Sequence, residues 1–365
     1  MNITDKLIEK FDNTKVFKFE KLDPFSEESS WIPTYSPSLD LRLKTLGLPG
    51  GIIEVRGDSQ AGKTTFSLMS MRGCLETYGE RAVVIVLSSE RRDNKPYAEK
   101  LGVDVSKVLI IRIKTIEDVF NKTKQTVDMV KKMIADGEIK MEGKPKFFFT
   151  WDSLGNTVSR QEKETMEIRS KVVEVKTKED EKNETKSAAM ASAARAISLG
   201  FRSIIALSDD IDITFLFINR SYENIEGHGK TSAGGTAVTY YPCMRIELSR
   251  KEGIKFTQDG EEMGQITLVN AFKTDFSRPK QKFAIEIGYG YGFVLTEDDL
   301  QIGFDAGILE KYGNGAKFMK GKLQWKSRRE LYKLYEENNP FIKVLTKKLI
   351  KLAHAKVLEE RQAQS

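Results

Sequence analysis

The alternation of apolar and polar positions divides the chain into three parts. In the middle, short apolar runs recur at 52–55, 82–87, 108–113, 146–151, 213–218, 244–248, 265–271 and 282–287. The early runs are separated by longer stretches with helical spacing, at 66–78, 116–135 and 188–205. Strands buried on both faces with helical crossovers between them predict a mainly parallel sheet. The later runs follow one another through short connections, one of them marked by Gln258-Asp259-Gly260, and predict an antiparallel extension. Before this block, residues 3–11 have amphipathic helical spacing and residues 16–19 alternate like a strand, followed by a turn-rich linker at 23–30. A lone helix and strand cannot bury their own apolar faces, so this arm folds back on its own domain or docks on a neighbouring subunit. After the block, 298–307 and 327–337 read as short helices, and Pro340 opens a long amphipathic helix with Phe341, Val344, Leu345, Leu349, Leu352 and Ala353 on one side. Its other side carries Lys343, Lys347, Lys348, Lys351 and Lys356, a solvated face or a surface for a polyanion.

Two stretches break the pattern. Residues 159–187 carry dense mixed charge and read as a mobile loop with partial helix, or in their second half as a solvated helix. Residues 226–236, with Gly227, Gly229, Gly234 and Gly235, read as a second mobile loop.

Composition narrows the class. The 365 residues carry a net charge of +6, which permits a nucleic-acid partner without requiring one. Cys74 and Cys243, far apart and in apolar elements, are expected to be reduced core residues of an intracellular protein. With His228 and His354 as the two histidines, the chain lacks the ligands for a zinc cage. No apolar run approaches the length of a membrane span, and no signal peptide opens the chain.

The candidate chemistry centres on 57–64, which reads G-x-x-x-x-G-K-T between a predicted strand and a predicted helix. In that setting the pattern is a phosphate-binding loop, whose backbone N–H groups and helix N-terminus face the phosphates of a nucleoside triphosphate. Gly57, Asp58, Ser59, Gln60, Ala61, Gly62, Lys63, Thr64 and Thr65 are the candidate ATP-binding residues. Lys63 reaches the outer phosphates and the Thr64 hydroxyl is a ligand for Mg²⁺. A second Mg²⁺ carboxylate fits Asp152, delivered by the aromatic strand at 146–151, although Asp is also a common helix cap. Glu90, at the end of the run at 82–87, is placed to orient or deprotonate a water, or is a surface carboxylate at a strand end.

Several segments together carry a resemblance. Residues 90–103, Glu-Arg-Arg-Asp-Asn-Lys-Pro-Tyr-Ala-Glu-Lys-Leu-Gly-Val, resemble the segment after the catalytic glutamate in the RecA family of homologous-recombination ATPases. Asp152-Ser153-Leu154-Gly155-Asn156 and Ile218-Asn219-Arg220-Ser221-Tyr222-Glu223 resemble matching segments of the UvsX-like phage recombinases within that family. Lys230-Thr231-Ser232-Ala233-Gly234-Gly235-Thr236 is similar to the family's second DNA-binding loop, and Asn339-Pro340-Phe341-Ile342 to the UvsX C-terminal region.

The resemblance implies a RecA-type α/β core at 34–293, an N-terminal oligomerisation arm at 1–33 and a helical C-terminal region at 294–365. It implies ATP and Mg²⁺, hydrolysis dependent on DNA, and a helical filament of the chain on single-stranded DNA that pairs with duplex and exchanges strands. Mediator and single-strand-binding proteins would be partners, in the cytoplasm of an infected bacterial host. Tyr97, seven residues after Glu90, has the spacing of the tyrosine that stacks on adenine. The two loops, at about 156–190 and 226–236, become DNA-binding loops. Arg160, Lys163 and Arg169 are candidates in the first, and Gly227, Gly229, Lys230, Thr231, Ser232, Gly234, Gly235 and Thr236 in the second.

Three departures stand out. The phosphate-sensing position, a glutamine or histidine in the family, is Arg220 here, which cannot accept a hydrogen bond. Of the two lysines that reach the neighbour's ATP in trans, Lys273 matches the first and Asp275 replaces the second, with Arg278 as a substitute cation. The tail lacks the family's acidic run. Another RecA-fold ATPase, such as a replicative helicase motor or a clock-type regulator, could use the same phosphate loop, Glu90 and Asp152. A nucleotide-gated structural filament is the non-enzymatic alternative.

Overall fold

A run of three phenylalanines shows how the core is built. Phe147 and Phe149, with Trp151, point to one face of the central sheet and Phe148 to the other, and all are fully buried. The computed structural model describes residues 31–90, 94–171, 180–208, 211–223, 230–258, 261–278 and 280–363. The expected helix and strand at 3–11 and 16–19 lie outside the described residues, as do Gly227, His228, Gly229 and the turn residues 259–260.

The parallel part of the sheet contains β1 (Gly51–Gly57), β2 (Ala82–Ser88), β3 (Val108–Arg112), β4 (Lys146–Asp152), β5 (Asp212–Glu223) and β7 (Met244–Gln258). The short β6 (Lys230–Ser232) pairs antiparallel with the end of β5. Beyond β7, β8 (Glu261–Thr274), β9 (Gln281–Gly288) and β10 (Gly292–Val294) continue the sheet antiparallel. The strand order is β10-β9-β8-β7-β1-β5-β4-β2-β3. This is the mainly parallel α/β sheet with an antiparallel extension that the apolar runs predict.

Helix α1 (Pro37–Leu43) precedes β1, and α2 (Lys63–Tyr78) packs on the face that receives Phe148. The short α3 (Lys95–Lys100) follows β2. On the opposite face lie α4 (Ile116–Ala135) and the end of α6 (Asp180–Ser208). Thr115 closes a capping box with Asp118 at the start of α4. The Phe120 ring makes edge contacts with Trp151 and Phe201 and stacks on Phe215. A Cβ on Gly200 would lie 2.0 Å from that ring, so α4 and α6 approach closely only because position 200 has no side chain.

The charged stretch at 159–187, expected as a mobile loop with partial helix or in its second half as a solvated helix, forms α5 (Arg160–Lys171) and the first turns of α6, and 172–179 between them lie outside the described residues. One expectation needs revision: the C-terminal region is not purely helical. Between α8 (Glu297–Asp305) and α9 (Arg328–Glu336) lies a three-stranded sheet, β11 (Leu309–Tyr312), β12 (Gly315–Phe318) and β13 (Leu323–Trp325). Helix α10 (Pro340–Gln362) closes this region, with Leu345, Leu349 and Ala353 fully buried. His354 Nε2 meets the buried Asp40 carboxylate of α1 at 2.8 Å. No described helix is long and apolar enough to cross a membrane.

Candidate nucleotide site at the sheet edge

The phosphate loop leaves β1 at Gly57, where φ is 158°, and turns through Gln60 and Gly62 with φ of 60° and 96°. A Cβ on Gly57 would lie 2.2 Å from the Leu248 carbonyl of the neighbouring strand. The loop delivers α2 with no side-chain cap and no acidic residue in its first turn. Its leading N–H groups and the positive end of its dipole therefore face outward, as anion binding requires. Lys63 Nζ folds back over the loop and donates to the carbonyls of Gly57 at 2.8 Å and Asp58 at 2.5 Å. Burial holds the amine below the ordinary lysine value, against the opposing pull of Asp58 and Asp152, and the Arg220 charge lowers it further.

Thr64 and Asp152 line one cavity, together with Ser67 and Thr150. A hydroxyl and a carboxylate are hard oxygen donors suited to Mg²⁺. No group of three or more His, Cys, Asp or Glu side chains forms a metal cage among the described residues. The other wall of the loop faces a cavity of ≈ 370 Å³ lined by Gln60, Gly62, Lys63, Thr64, Thr65, Tyr97, Gln265, Ile287 and Tyr289, so Thr64 borders both. The Tyr97 hydroxyl and Thr65 Oγ1 are 2.6 Å apart, which fixes the ring beside the phosphate loop. Burial raises the phenol's pKa, so it stays protonated.

Sequence reasoning missed the far wall. Gln265 Nε2 donates to the Gln60 carbonyl at 2.9 Å, and Thr267 Oγ1 donates to the Ala61 carbonyl at 3.3 Å. Their signal was visible as two polar residues at alternate positions of the run 265–271, both buried in the fold.

Hydrogen bonds between the ends of β2 and β4 bring Glu90 and Asp152 together. The Ser89 N–H donates to the Asp152 carbonyl at 3.0 Å, and the Ser153 N–H donates to Ser89 Oγ at 3.2 Å. The peptide bond between Asp152 and Ser153 is cis. The Glu90 carbonyl accepts from Ser88 Oγ at 2.8 Å and also from Arg112. The Glu90 carboxylate accepts from Asn156 Nδ2 at 2.5 Å, and Asn156 Oδ1 accepts from the Arg220 guanidinium at 2.8 Å. Arg220 lies on β5 directly opposite Gly57. Asn156, Ser89 and Arg112 were not singled out from the sequence, because their roles depend on which strand ends become neighbours.

The remaining candidates are placed as follows. Arg160 and Lys163 lie on the first turn of α5, and Arg169 further along it. Lys230, Thr231 and Ser232 form β6, and Gly234, Gly235 and Thr236 lead into the one-turn α7 (Ala237–Tyr240). Lys273 and Arg278 are not brought to their own chain's phosphate loop. Lys273 pairs with Arg245, beside Glu54 in mid-strand, and its Nζ donates to the Tyr240 carbonyl at 2.8 Å. Arg278 lines a separate cavity with Lys44, Phe276 and Arg361. Both thiols are free, and burial pushes both up to about 12.

The sequence profile of the RecA N-terminal domain family matches residues 2–142 and 158–294. Similar proteins include Protein RecA of Porphyromonas gingivalis, 26% identical over 88% of this chain and 85% of that one. Protein RecA of Ureaplasma parvum serovar 3 is 27% identical over 88% of this chain and 87% of its own length. Protein RecA of Rickettsia bellii is 28% identical over 89% of this chain and 85% of its own. With a match running through the phosphate loop, Glu90 and the antiparallel extension, the chain belongs to the RecA N-terminal domain family.

Proposed function

We propose that the chain is an ATP-hydrolysing recombinase that assembles on single-stranded DNA and exchanges strands with homologous duplex, of the UvsX-like phage type. One observation carries this reading. The phosphate loop, Glu90 and the roots of both candidate DNA loops, at Asn156 and Arg220, meet at one edge of the sheet. A nucleotide there shares side chains with the segments that would touch DNA.

In this reading the uncapped start of α2 and Lys63 bind the phosphates, and Tyr97 packs on the base. Mg²⁺, held by Thr64 and Asp152, would neutralise charge on the outer phosphates. Glu90 orients the attacking water and takes its proton. Lys273, and Arg278 beyond it, act on a neighbouring subunit's nucleotide, which ties hydrolysis to assembly. The N-terminal arm, residues 1–33, docks on the neighbour. The edge strand β3 offers it a place, with Leu109 and Ile110 exposed by 55% and 44%. Mediator and single-strand-binding proteins of an infected bacterial cell are the expected partners.

The test is strand exchange by the wild-type chain beside Lys63→Ala and Glu90→Gln, with mediator and single-strand-binding proteins present. The expected result is exchange by wild type, loss of nucleotide binding in Lys63→Ala, and a fall of about 10²-fold or more in hydrolysis in Glu90→Gln. Directional unwinding of a forked duplex without strand exchange would instead identify a helicase motor. Filaments formed equally with and without DNA would identify a structural polymer.

A further inference from the structure

Between Glu90 and Arg220 stands a single side chain able to serve both. A carboxylate only accepts hydrogen bonds and a guanidinium only donates them, whereas an amide does one at each end. Asn156 gives its N–H to Glu90 at 2.5 Å and its oxygen to Arg220 at 2.8 Å. These partners leave the amide one orientation.

Its backbone is firmly held. Asn156 ends a tight turn (Leu154–Asn156), and its N–H donates to the Ser153 carbonyl. The next residue, Thr157, donates to the same carbonyl at 2.8 Å and accepts from Trp151 Nε1 at 3.0 Å. Arg220 is tied to the second loop through Asn219. The Arg220 N–H donates to Asn219 Oδ1 at 2.8 Å. Asn219 Nδ2 in turn donates to the Ala233 carbonyl at 3.0 Å and to the buried Glu54 at 2.8 Å.

We propose that Asn156 is a positioning residue that couples the Glu90 carboxylate to Arg220, so that the water-activating group responds to phosphate and to the second loop. This rests on the recombinase reading above. Arg220 faces Gly57 across the β1–β5 ladder, close enough for its charge to act on Lys63. A terminal phosphate held by Lys63 attracts the guanidinium, and the amide then loses its donor on that side. Glu90 is left held by one end of a side chain now free to turn, and moves toward a water at the phosphate. Movement of the second loop, transmitted through Asn219, shifts Arg220 in the same way.

The experiment compares wild type with Asn156→Ala, Asn156→Asp, Arg220→Ala and the Asn156→Ala/Arg220→Ala double variant. Hydrolysis is measured with and without single-stranded DNA, together with ATP affinity without DNA and thermal midpoints. The side chain is exposed, so folding is expected to survive both changes at Asn156. Stimulation by DNA should fall at least tenfold in Asn156→Ala. It should fall equally in Asn156→Asp, which keeps the size but lacks the donor. ATP affinity should stay within threefold, and the double variant should be no worse than the poorer single one. Stimulation retained in either Asn156 variant, or effects that multiply in the double variant, would overturn the proposal. So would a loss of stimulation matched by loss of ATP affinity and melting temperature. Absence of stimulation in wild type itself would overturn the recombinase reading and the proposal with it.

Discussion

Glu76, on α2, binds the C-terminal helix to the core with one carboxylate. It accepts from Arg72 at 3.0 Å and from Tyr35, and pairs with Lys343 at 2.7 Å and Lys347 at 2.5 Å. Burial opposes its ionisation, but the lysines, the tyrosine and the Arg72 charge together outweigh this and hold the carboxyl at about 2 instead of 4.5. A depressed folded-state pKa gives stability that is present above the unfolded value and lost as pH falls through the folded one. Glu76→Gln is therefore expected to lower stability by about 1–3 kcal/mol at neutral pH, the full linkage value being reduced because the lysines are half exposed. In urea melts the difference from wild type should close as pH falls from about 4.5 to about 2. A difference constant with pH would show that the carboxylate's charge is not the cause. Only the Arg72 pair, four residues back on the same helix, was within reach of the sequence, since Tyr35, Lys343 and Lys347 come from segments distant along the chain. Lys63, Thr64 and Asp152 were legible because a short motif and an adjacent strand end constrain them locally. Asn156 and Gln265 were not, because no local pattern says what they will face.

At the scale of elements, the edge strand β3 is the exposed feature with the clearest consequence. A strand with unpaired backbone groups and outward apolar side chains is a template for another strand. Replacing Leu109 and Ile110 by lysine should weaken self-association at least tenfold in sedimentation experiments. Because both side chains are already outside, stability should change by no more than about 1 kcal/mol. Equal self-association in the variant would place the contact elsewhere. The central strands were readable because they are buried on both faces and stand out as apolar runs. Strands β11–β13 escaped notice because each is short and sided. Leu309, Phe318, Leu323 and Trp325 are buried while Glu310, Lys311 and Gln324 are exposed, and so few residues do not establish a period of two. The charged stretch leading into α6 was readable as helix only through its helix-forming composition, because no apolar stripe marks it.

For the whole molecule, α10 is both structure and surface. Its buried row and the Arg361 guanidinium, which donates to the carbonyls of Lys44 and Phe276, lock the last described helix onto α1 and the turn after β8. Deleting residues 342–365 would therefore remove part of the core along with the basic face, and its effect on DNA binding would not isolate the charge. Charge reversal at the exposed Lys348, Lys351 and Lys356 separates the two. Duplex affinity at low salt is expected to fall by about tenfold, with a shallower salt dependence and an unchanged melting temperature. Unchanged affinity would make this face merely solvated.

The strand order carries one more consequence, for synthesis. Among the described strands, β1 finds its hydrogen-bond partners only in β5 and β7, and Gly51 waits for Thr214. Strands β2, β3 and β4 can pair with one another as they emerge, while the strand that carries the phosphate loop stays single. At about 5–20 residues per second the delay is roughly 8–30 s. The proposed nucleotide site is therefore completed only after β5 and β7 have left the ribosome and most of the core has been made.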